Sequence, residues 1–457
     1  MFKAKTIDQW SLRYFLIKYL WAKNVFELYY RRIEVRNARI IPEKKPVIFA
    51  ANHQNALMDA LALVLKLRFQ TVFMTRADIF EKPFVKKILM SLKMLPIYRI
   101  RDGVSSLSKN EEMFDETTRI LKNHQSPLCL FPEGNHGDRR RLRPLVKGIF
   151  RIAFKAQEEY KDNKGVQIFP VGIDYSHYQK FRQTLFINVG QPIEVSDYWK
   201  LYEKNQATGM NALRERLAEE MRKLMIDIKT EEYYETYMGL RGFFRQEMYR
   251  HHGIKKDNLA TRFDSDKKLI EALDNTLVKE PELIKHIDEK FKRYSALRDK
   301  NNFRDWVFRK NSYSVALNIL LLFVCLILSP LFILGLINNW PHYFIPVKFV
   351  RKIKDPQFRS TAAWGSGSVI QALYYIILSV IAVIFIPFWW AAIAYILVLP
   401  LTGIIALGIR NLFIKTVSRL RYSLNKNRSS EIAEILSLKR DITELLRNAV
   451  FKPQRSE

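Results

Sequence analysis

The sequence predicts an α/β domain followed by helices embedded in a membrane, and three observations carry that prediction. Between Arg31 and about Trp199, short apolar runs alternate with helical stretches. Further on, Tyr313–Val347 and Ser366–Ile409 are almost free of charge and long enough to enter a bilayer core. Finally, a formal net charge of +29 over 457 residues calls for an anionic partner. The basic residues cluster at the flanks of the apolar runs, and no nucleic-acid recognition motif accompanies them. Anionic membrane lipids are therefore the expected partner, and nucleic acid is not.

The first 30 residues read as an amphipathic helix at the membrane interface, over about Asp8 to Tyr30. Trp10, Tyr14, Phe15, Ile17, Leu20, Trp21 and Phe26 are interleaved with Arg13, Lys18 and Lys23. Aromatics with snorkelling cations suit such a helix. Lys3, Lys5, Arg13 and Lys18 interrupt any apolar core of a signal peptide, which places the N-terminal part on the cytoplasmic side.

Residues 31–230 form the α/β domain. Strands are expected at Arg32–Val35, Val47–Ala51, Thr71–Thr75, Pro96–Ile100, Pro127–Phe131, Gln167–Ile173 and Leu185–Val189, and helices at Leu57–Leu67, Pro83–Leu92 and Lys109–Asn123. Residues 231–310 read as a charged helical segment, most of whose charges belong to a solvated face. Residues 311–410 hold the two apolar runs, broken at Pro330 and Pro387. Lys and Arg mark cytoplasmic flanks. Arg304 and Arg309 precede the first run, Lys348, Arg351 and Lys352 separate the two, and Arg410 and Lys415 follow. With all three flanks cytoplasmic, each run enters and returns as a hairpin. Residues 411–457 are a helical tail with Ile432, Ile435, Leu436 and Leu438 as its apolar stripe. Cys129 and Cys325 sit in apolar runs and read as buried thiols.

Two motifs carry the chemistry. His53 follows the strand Val47–Ala51, with Asp59 downstream, and Glu133-Gly134 follows the strand Pro127–Phe131. Both lie just past the carboxyl ends of strands, where open α/β sheets place ligands. A helix turns ~100° per residue, so positions six apart point to opposite sides. A His53–Asp59 hydrogen bond therefore needs His53 in the turn before the helix, with Asn52 and Asn55 as turn and capping residues. Asp59 would then fix the imidazole tautomer while His53 takes a proton. A purely structural pairing accounts for these two residues equally well. Arg99, Arg101, Arg139 and Lys147 are candidates for gripping an anionic substrate. For Arg139–Arg141 the competing reading is a basic surface run facing anionic lipid.

Asn52-His53…Asp59 together with Phe131-Pro132-Glu133-Gly134 resembles the glycerophosphate acyltransferase family. Two further blocks fit in order: Pro96-Ile97-Tyr98-Arg99, and Phe169-Pro170-Val171-Gly172-Ile173. Gly190-Gln191-Pro192-Ile193 is similar to a strand end common in the family. The resemblance covers about residues 30–230 and implies a covered acyltransferase sheet. It also implies transfer of an acyl group from a thioester to a glycerol hydroxyl. His53 and Asp59 take the general-base roles, Arg99 contacts the acceptor phosphate, and Glu133 helps to bind the acceptor with Gly134, Arg139 and Lys147. No cofactor or metal is implied; the thioester of coenzyme A or acyl carrier protein is a co-substrate.

This chain departs from the family in two places. The family's usual spacing is Asn-His-x4-Asp, and here one residue more lies between His53 and Asp59. Where Thr-Arg usually follows Glu-Gly, this chain has Asn135-His136, so Arg139, Arg140 or His136 must stand in for the arginine. The extended block, through Pro144-Leu145-Val146-Lys147-Gly148, is similar to the fungal-type glycerol-3-phosphate/dihydroxyacetone-phosphate acyltransferases. The expected function is acylation of glycerol 3-phosphate or dihydroxyacetone phosphate in phospholipid biosynthesis, by an integral membrane enzyme with its catalytic domain on the cytoplasmic face. Acylation of 1-acylglycerol 3-phosphate to phosphatidic acid uses the same residues. A catalytically dead, membrane-tethered scaffold would need a broken first or third block, and His53, Asp59 and Glu133 are all present.

Overall fold

A computed structural model describes residues 7–98, 106–123, 126–308 and 314–451, with 106–110 described as helix backbone. The chain divides into two compact units. The first runs to Asp227 and takes in Asn258–Phe263 and Ile353–Thr361; the second holds the remaining helices.

The first unit opens with α1 (Leu12–Leu16), a π-helical stretch (Ile17–Ala22) and α2 (Lys23–Tyr29). Ser11 caps α1 by accepting the Tyr14 N–H. Trp10, Leu20 and Trp21 are exposed, at 63%, 71% and 43%, whereas Tyr14 and Phe26 of the same set are buried. Lys18 corrects the expected snorkelling pattern. It is buried, and its ammonium donates to the Leu67 and Phe69 carbonyls at 3.0 Å each. Burial lowers its pKa to about 8.

The sheet and its helices follow in order: β1 (Arg32–Arg36), β2 (Val47–Ala51), α3 (Ala56–Lys66), β3 (Val72–Arg76), α4 (Pro83–Ser91), β4 (Met94–Ile97), α5 (Ser106–Lys122), β5 (Leu128–Leu130), α6 (Gly148–Gln157), β6 (Gln167–Tyr175), β7 (Thr184–Val189), β8 (Ile193–Glu194), α7 (Trp199–Lys204) and α8 (Gln206–Leu224). The strand order is β1-β7-β6-β2-β5-β3-β4, with β8 beside β6. The pairs are parallel except β6–β7 and β6–β8. The fourth strand starts two residues before the expected Pro96.

The central strands are buried along their whole length. Continuous apolar runs of this kind are what a sheet covered on both faces requires. Ile48, Ala50, Leu128 and Ile168 pack under Ile149, Phe150 and Phe154 of α6 and Leu213, Leu217 and Met221 of α8. Each fully buried large side chain of this set contributes about 1.5–3 kcal/mol. Gly172 in β6 lies directly beneath the end of α8. A Cβ there would stand 1.9 Å from the Leu224 carbonyl oxygen, so the close approach admits only glycine.

One pairing places the site. β2 and β5 are adjacent and parallel, with Ile48 opposite Leu128 and Ala50 opposite Leu130. Their carboxyl ends therefore emerge side by side, carrying the His53 and Glu133 turns together.

The second unit is helical: α9 (Tyr234–His251), most of α10 (Leu259–Lys279), α11 (Pro281–Lys300), α12 (Val315–Ile327), α13 (Ser329–Val350), most of α14 (Arg359–Phe385), α15 (Trp389–Asn425) and α16 (Ser430–Phe451). Part of the charge expected to be solvated in 231–310 is buried instead. Asp266, 3% exposed, holds both Arg241 and Arg245, and Asp288 accepts from the Thr236 hydroxyl at 2.5 Å. Three ion pairs tie α11 to α16: Lys290–Asp441, Arg293–Glu434 and Lys300–Glu431.

The breaks in the apolar runs fall at the expected prolines. Among the described residues, Pro356–Phe385 and Trp389–Asn425 are long and apolar enough to cross a membrane. The pair Val315–Ile327 and Ser329–Val350, bent by 53°, passes the same test when taken together. Polar side chains join these helices, as packing in lipid favours. Asn339 donates to the Thr402 hydroxyl at 3.0 Å and accepts from Tyr375 at 2.8 Å; Asn338 accepts from Tyr395 at 2.9 Å. α15 continues without a break past Arg410 to Asn425.

Candidate active site

His53 stands in the turn between β2 and α3, where the six-residue separation requires it. Its Nδ1 lies 2.9 Å from Asp59 Oδ2. Within this spacing the chain makes a left-handed turn: Ala56, the first residue of α3, has φ +39°. Asp59 is fully buried and its carboxylate is saturated. Oδ2 also accepts the N–H groups of Gln54 at 2.8 Å and Asn55 at 2.7 Å, and Oδ1 accepts the Tyr175 hydroxyl at 2.7 Å. Burial, with the Asp59 charge beside it, holds the Tyr175 hydroxyl well above its ordinary pKa, so it remains a donor.

The acceptor-only carboxylate fixes the imidazole tautomer. Nδ1 carries the proton and donates it to Asp59, which leaves Nε2 as the basic nitrogen. Phe131 stacks on the ring at 4.0 Å, and His136 meets it edge-on at 5.5 Å.

Glu133 binds the second turn to the first. One carboxylate oxygen accepts the His53 backbone N–H at 2.9 Å, and the other accepts Arg143 Nε at 3.0 Å. Burial raises the Glu133 pKa despite these donors. Gly134 has φ +69°, and its N–H donates to the Phe131 carbonyl at 3.0 Å, closing the turn. The Gly137 N–H is likewise used, on the His53 carbonyl at 3.0 Å.

Asn55 stands at the N-cap of α3, but its side chain makes no capping hydrogen bond, and Asn52 is used elsewhere. The Asn52 side chain clamps the Ile173 backbone of β6, accepting its N–H at 2.6 Å and donating to its carbonyl at 3.1 Å. The N-terminal donors before α3 are instead satisfied by Asp59 from within the helix.

A small cleft opens over His53, lined by Gln54, Glu133, Gly137, Arg139, Arg140, Arg141, Ile173, Asp174, Met225 and Ile226. Arg139 and Arg141 are exposed there. Arg140 is buried and bound to Asp174 and the Tyr175 carbonyl. Lys147 stands exposed at the start of α6 and is not among the cleft residues. Arg99 and Arg101 lie outside the described residues.

Sequence reasoning missed Tyr175 and Arg143. Tyr175 ends a strand with nothing around it to signal contact with Asp59. Arg143 lies two residues beyond the basic run Arg139–Arg141, and only the fold shows it turning back to Glu133.

Residues 32–174 match the family model described as Acyltransferase. The chain carries an acyltransferase-family domain. Over 125 residues it is 31% identical to glycerol-3-phosphate O-acyltransferase 1 of Saccharomyces cerevisiae, covering 27% of this chain and 16% of that protein. It is 27% identical over 165 residues to 1-acyl-sn-glycerol-3-phosphate acyltransferase beta of Homo sapiens, covering 36% of this chain and 54% of that protein. The chain thus spans between about one sixth and about half of the length of these relatives. The 1-acyl-sn-glycerophosphate acyltransferase of Thermotoga maritima, a solved structure, aligns with a TM-score of 0.33 at 17% identity, over 48% of this chain and 79% of that one. The acyltransferase domain contains the whole of the His53–Asp59–Glu133 arrangement.

Proposed function

We propose that this protein is a membrane-bound O-acyltransferase that moves a fatty acyl group from a thioester to the hydroxyl of glycerol 3-phosphate or dihydroxyacetone phosphate. The observation that carries the reading is His53 Nδ1 held 2.9 Å from a buried Asp59, beside a cleft lined by Arg139 and Arg141. His53 Nε2 takes the proton of the acceptor hydroxyl as its oxygen attacks the thioester carbonyl. The tetrahedral intermediate collapses with loss of the C–S bond, and the proton on Nε2 passes to the departing thiolate. Asp59 stabilises the imidazolium between the two transfers. The two exposed arginines suit the acceptor phosphate.

A lysophosphatidate acceptor is the second reading. The exposed aromatic face of the N-terminal helices favours it, since such a face brings the domain to lipid. In both readings the catalytic domain lies at the cytoplasmic face, with the basic segment 348–359 on the same side. Labelling of cysteines introduced in that segment from the opposite side would refute this placement. The acceptor is tested with the purified full chain, offering glycerol 3-phosphate and lysophosphatidate in competition, with palmitoyl-CoA or palmitoyl-acyl carrier protein as donor. Product mass identifies the acceptor. His53→Ala is expected to abolish transfer while the chain stays folded; retention of near-wild-type transfer would end this mechanism.

A further inference from the structure

Two side chains beside His53 have no part in the chemistry above, and both are held by the stretch that leads from α13 into α14. The segment Ile353–Thr361, the last part of the connector and the first three residues of α14, belongs to the first unit. Asp355 Oδ2 lies 3.1 Å from His136 Nε2, across 219 residues of sequence. The Phe358 ring stands edge-on to His136 at 5.0 Å. The Ser360 hydroxyl, fully buried, donates to the Asn55 side-chain oxygen across 305 residues.

Each of these contacts leads directly to one member of the catalytic pair. His136 meets the His53 ring edge-on, and its neighbour Gly137 donates its N–H to the His53 carbonyl. The Asn55 N–H is one of the donors that orient the Asp59 carboxylate, at 2.7 Å. Asn55 is fully buried, and its amide nitrogen is used on the Tyr178 carbonyl at 3.0 Å. The connector and the start of α14 therefore supply a polar partner to both turns.

We propose that Asp355 and Ser360 are positioning residues for acyl transfer, with Asp355 setting His136 against the His53 ring and Ser360 setting Asn55 behind Asp59. This inference rests on the general-base reading of His53. The catalytic turn is completed by a segment that lies between two apolar runs in the chain, so the domain spanning 31–230 alone lacks these two partners.

The test uses the full chain with palmitoyl-CoA or palmitoyl-acyl carrier protein and both acceptors. Asp355 is the residue to change, because its side chain is 44% exposed and its loss leaves the core intact. Asp355→Ala is expected to lower kcat about 10- to 100-fold, the penalty of a small misplacement at a reacting centre, with acceptor KM unchanged. His136→Ala should lose a similar factor. The double variant should lose no more than either single one, because both changes release the same ring. Ser360→Ala should also lower kcat, with His53 and Asp59 still in place. A wild-type kcat for Asp355→Ala overturns the proposal. So do losses that multiply in the double variant, or a rise in acceptor KM at constant kcat, which would make Asp355 a substrate contact. If His53→Ala remains active, the underlying mechanism fails. If His53→Ala is inert and Asp355→Ala is fully active, only the positioning role fails.

Discussion

Asp59→Asn and Asp59→Ala separate the two tasks of the buried carboxylate. Four donors converge on it: His53 Nδ1, the N–H groups of Gln54 and Asn55, and the Tyr175 hydroxyl. Alanine leaves two backbone donors and one hydroxyl in a fully buried position with no acceptor. An unmet buried donor costs about 1–3 kcal/mol, so the chain should lose about 3 kcal/mol or more of stability. Asparagine behaves differently. Its oxygen must occupy the Oδ2 position, because two backbone N–H groups point there and cannot turn. Its amide then faces Tyr175, whose hydroxyl can rotate to accept. The two backbone donors and His53 keep their acceptor and only the Tyr175 O–H proton loses one, so the stability loss should be about 1–3 kcal/mol, below that of alanine. The His53 tautomer is also retained, so the rate falls only through loss of the charge opposite the imidazolium. At an effective dielectric constant of about 20 and a separation of about 4 Å, that charge contributes about 4 kcal/mol, or about 10³-fold in rate. Thiol release from the acyl donor measures the rate, and urea unfolding of the purified chain measures stability. Asp59→Asn unfolding as readily as Asp59→Ala, or Asp59→Asn turning over at the wild-type rate, would refute this account.

Three other outcomes follow from the same geometry. Burial favours the acid form of Glu133 in the fold, so its stabilising contribution is complete below the ordinary value of 4.5 and is lost as pH rises through the raised pKa. Unfolding midpoints of Glu133→Gln should therefore gain on wild type as pH increases across that window; parallel curves would contradict the shift. Gly134→Ala places a Cβ at φ +69° and 2.9 Å from Val146 Cγ1. It should cost about 1–2 kcal/mol from the backbone alone, and adding Val146→Ala should relieve only the contact, as read by thermal unfolding. Arg139→Ala should raise the acceptor KM about tenfold, the loss of a charged hydrogen bond, whereas Lys147→Ala, outside the cleft, should leave it unmoved. Saturation curves for the acceptor distinguish the two.

The parts of this fold that the sequence discloses are those set by local patterning. Val47–Ala51 emerges with its expected limits, and Gln167–Ile173 begins where expected and runs two residues further, because a strand covered on both faces must be apolar throughout. His53 is found before α3 because helix geometry forbids the alternative. Contacts between distant segments left no such trace. Nothing around Tyr175 indicates that its hydroxyl meets Asp59, and nothing around Asp355 or Ser360 indicates His136 and Asn55. Lys18 shows a different limit. In sequence it sits among aromatics like any snorkelling cation, and only the two carbonyls beneath it show that it points inward. Asp266 is similar: its burial depends on two arginines from the preceding helix.

The left-handed backbone of Ala56 has a bearing on how chains of this kind are recognised. With that turn between them, base and carboxylate meet at the usual hydrogen-bond length although one residue more separates them in the chain. A text pattern with a rigid gap between the two would pass over this chain, whereas a distance between two side-chain atoms would find it.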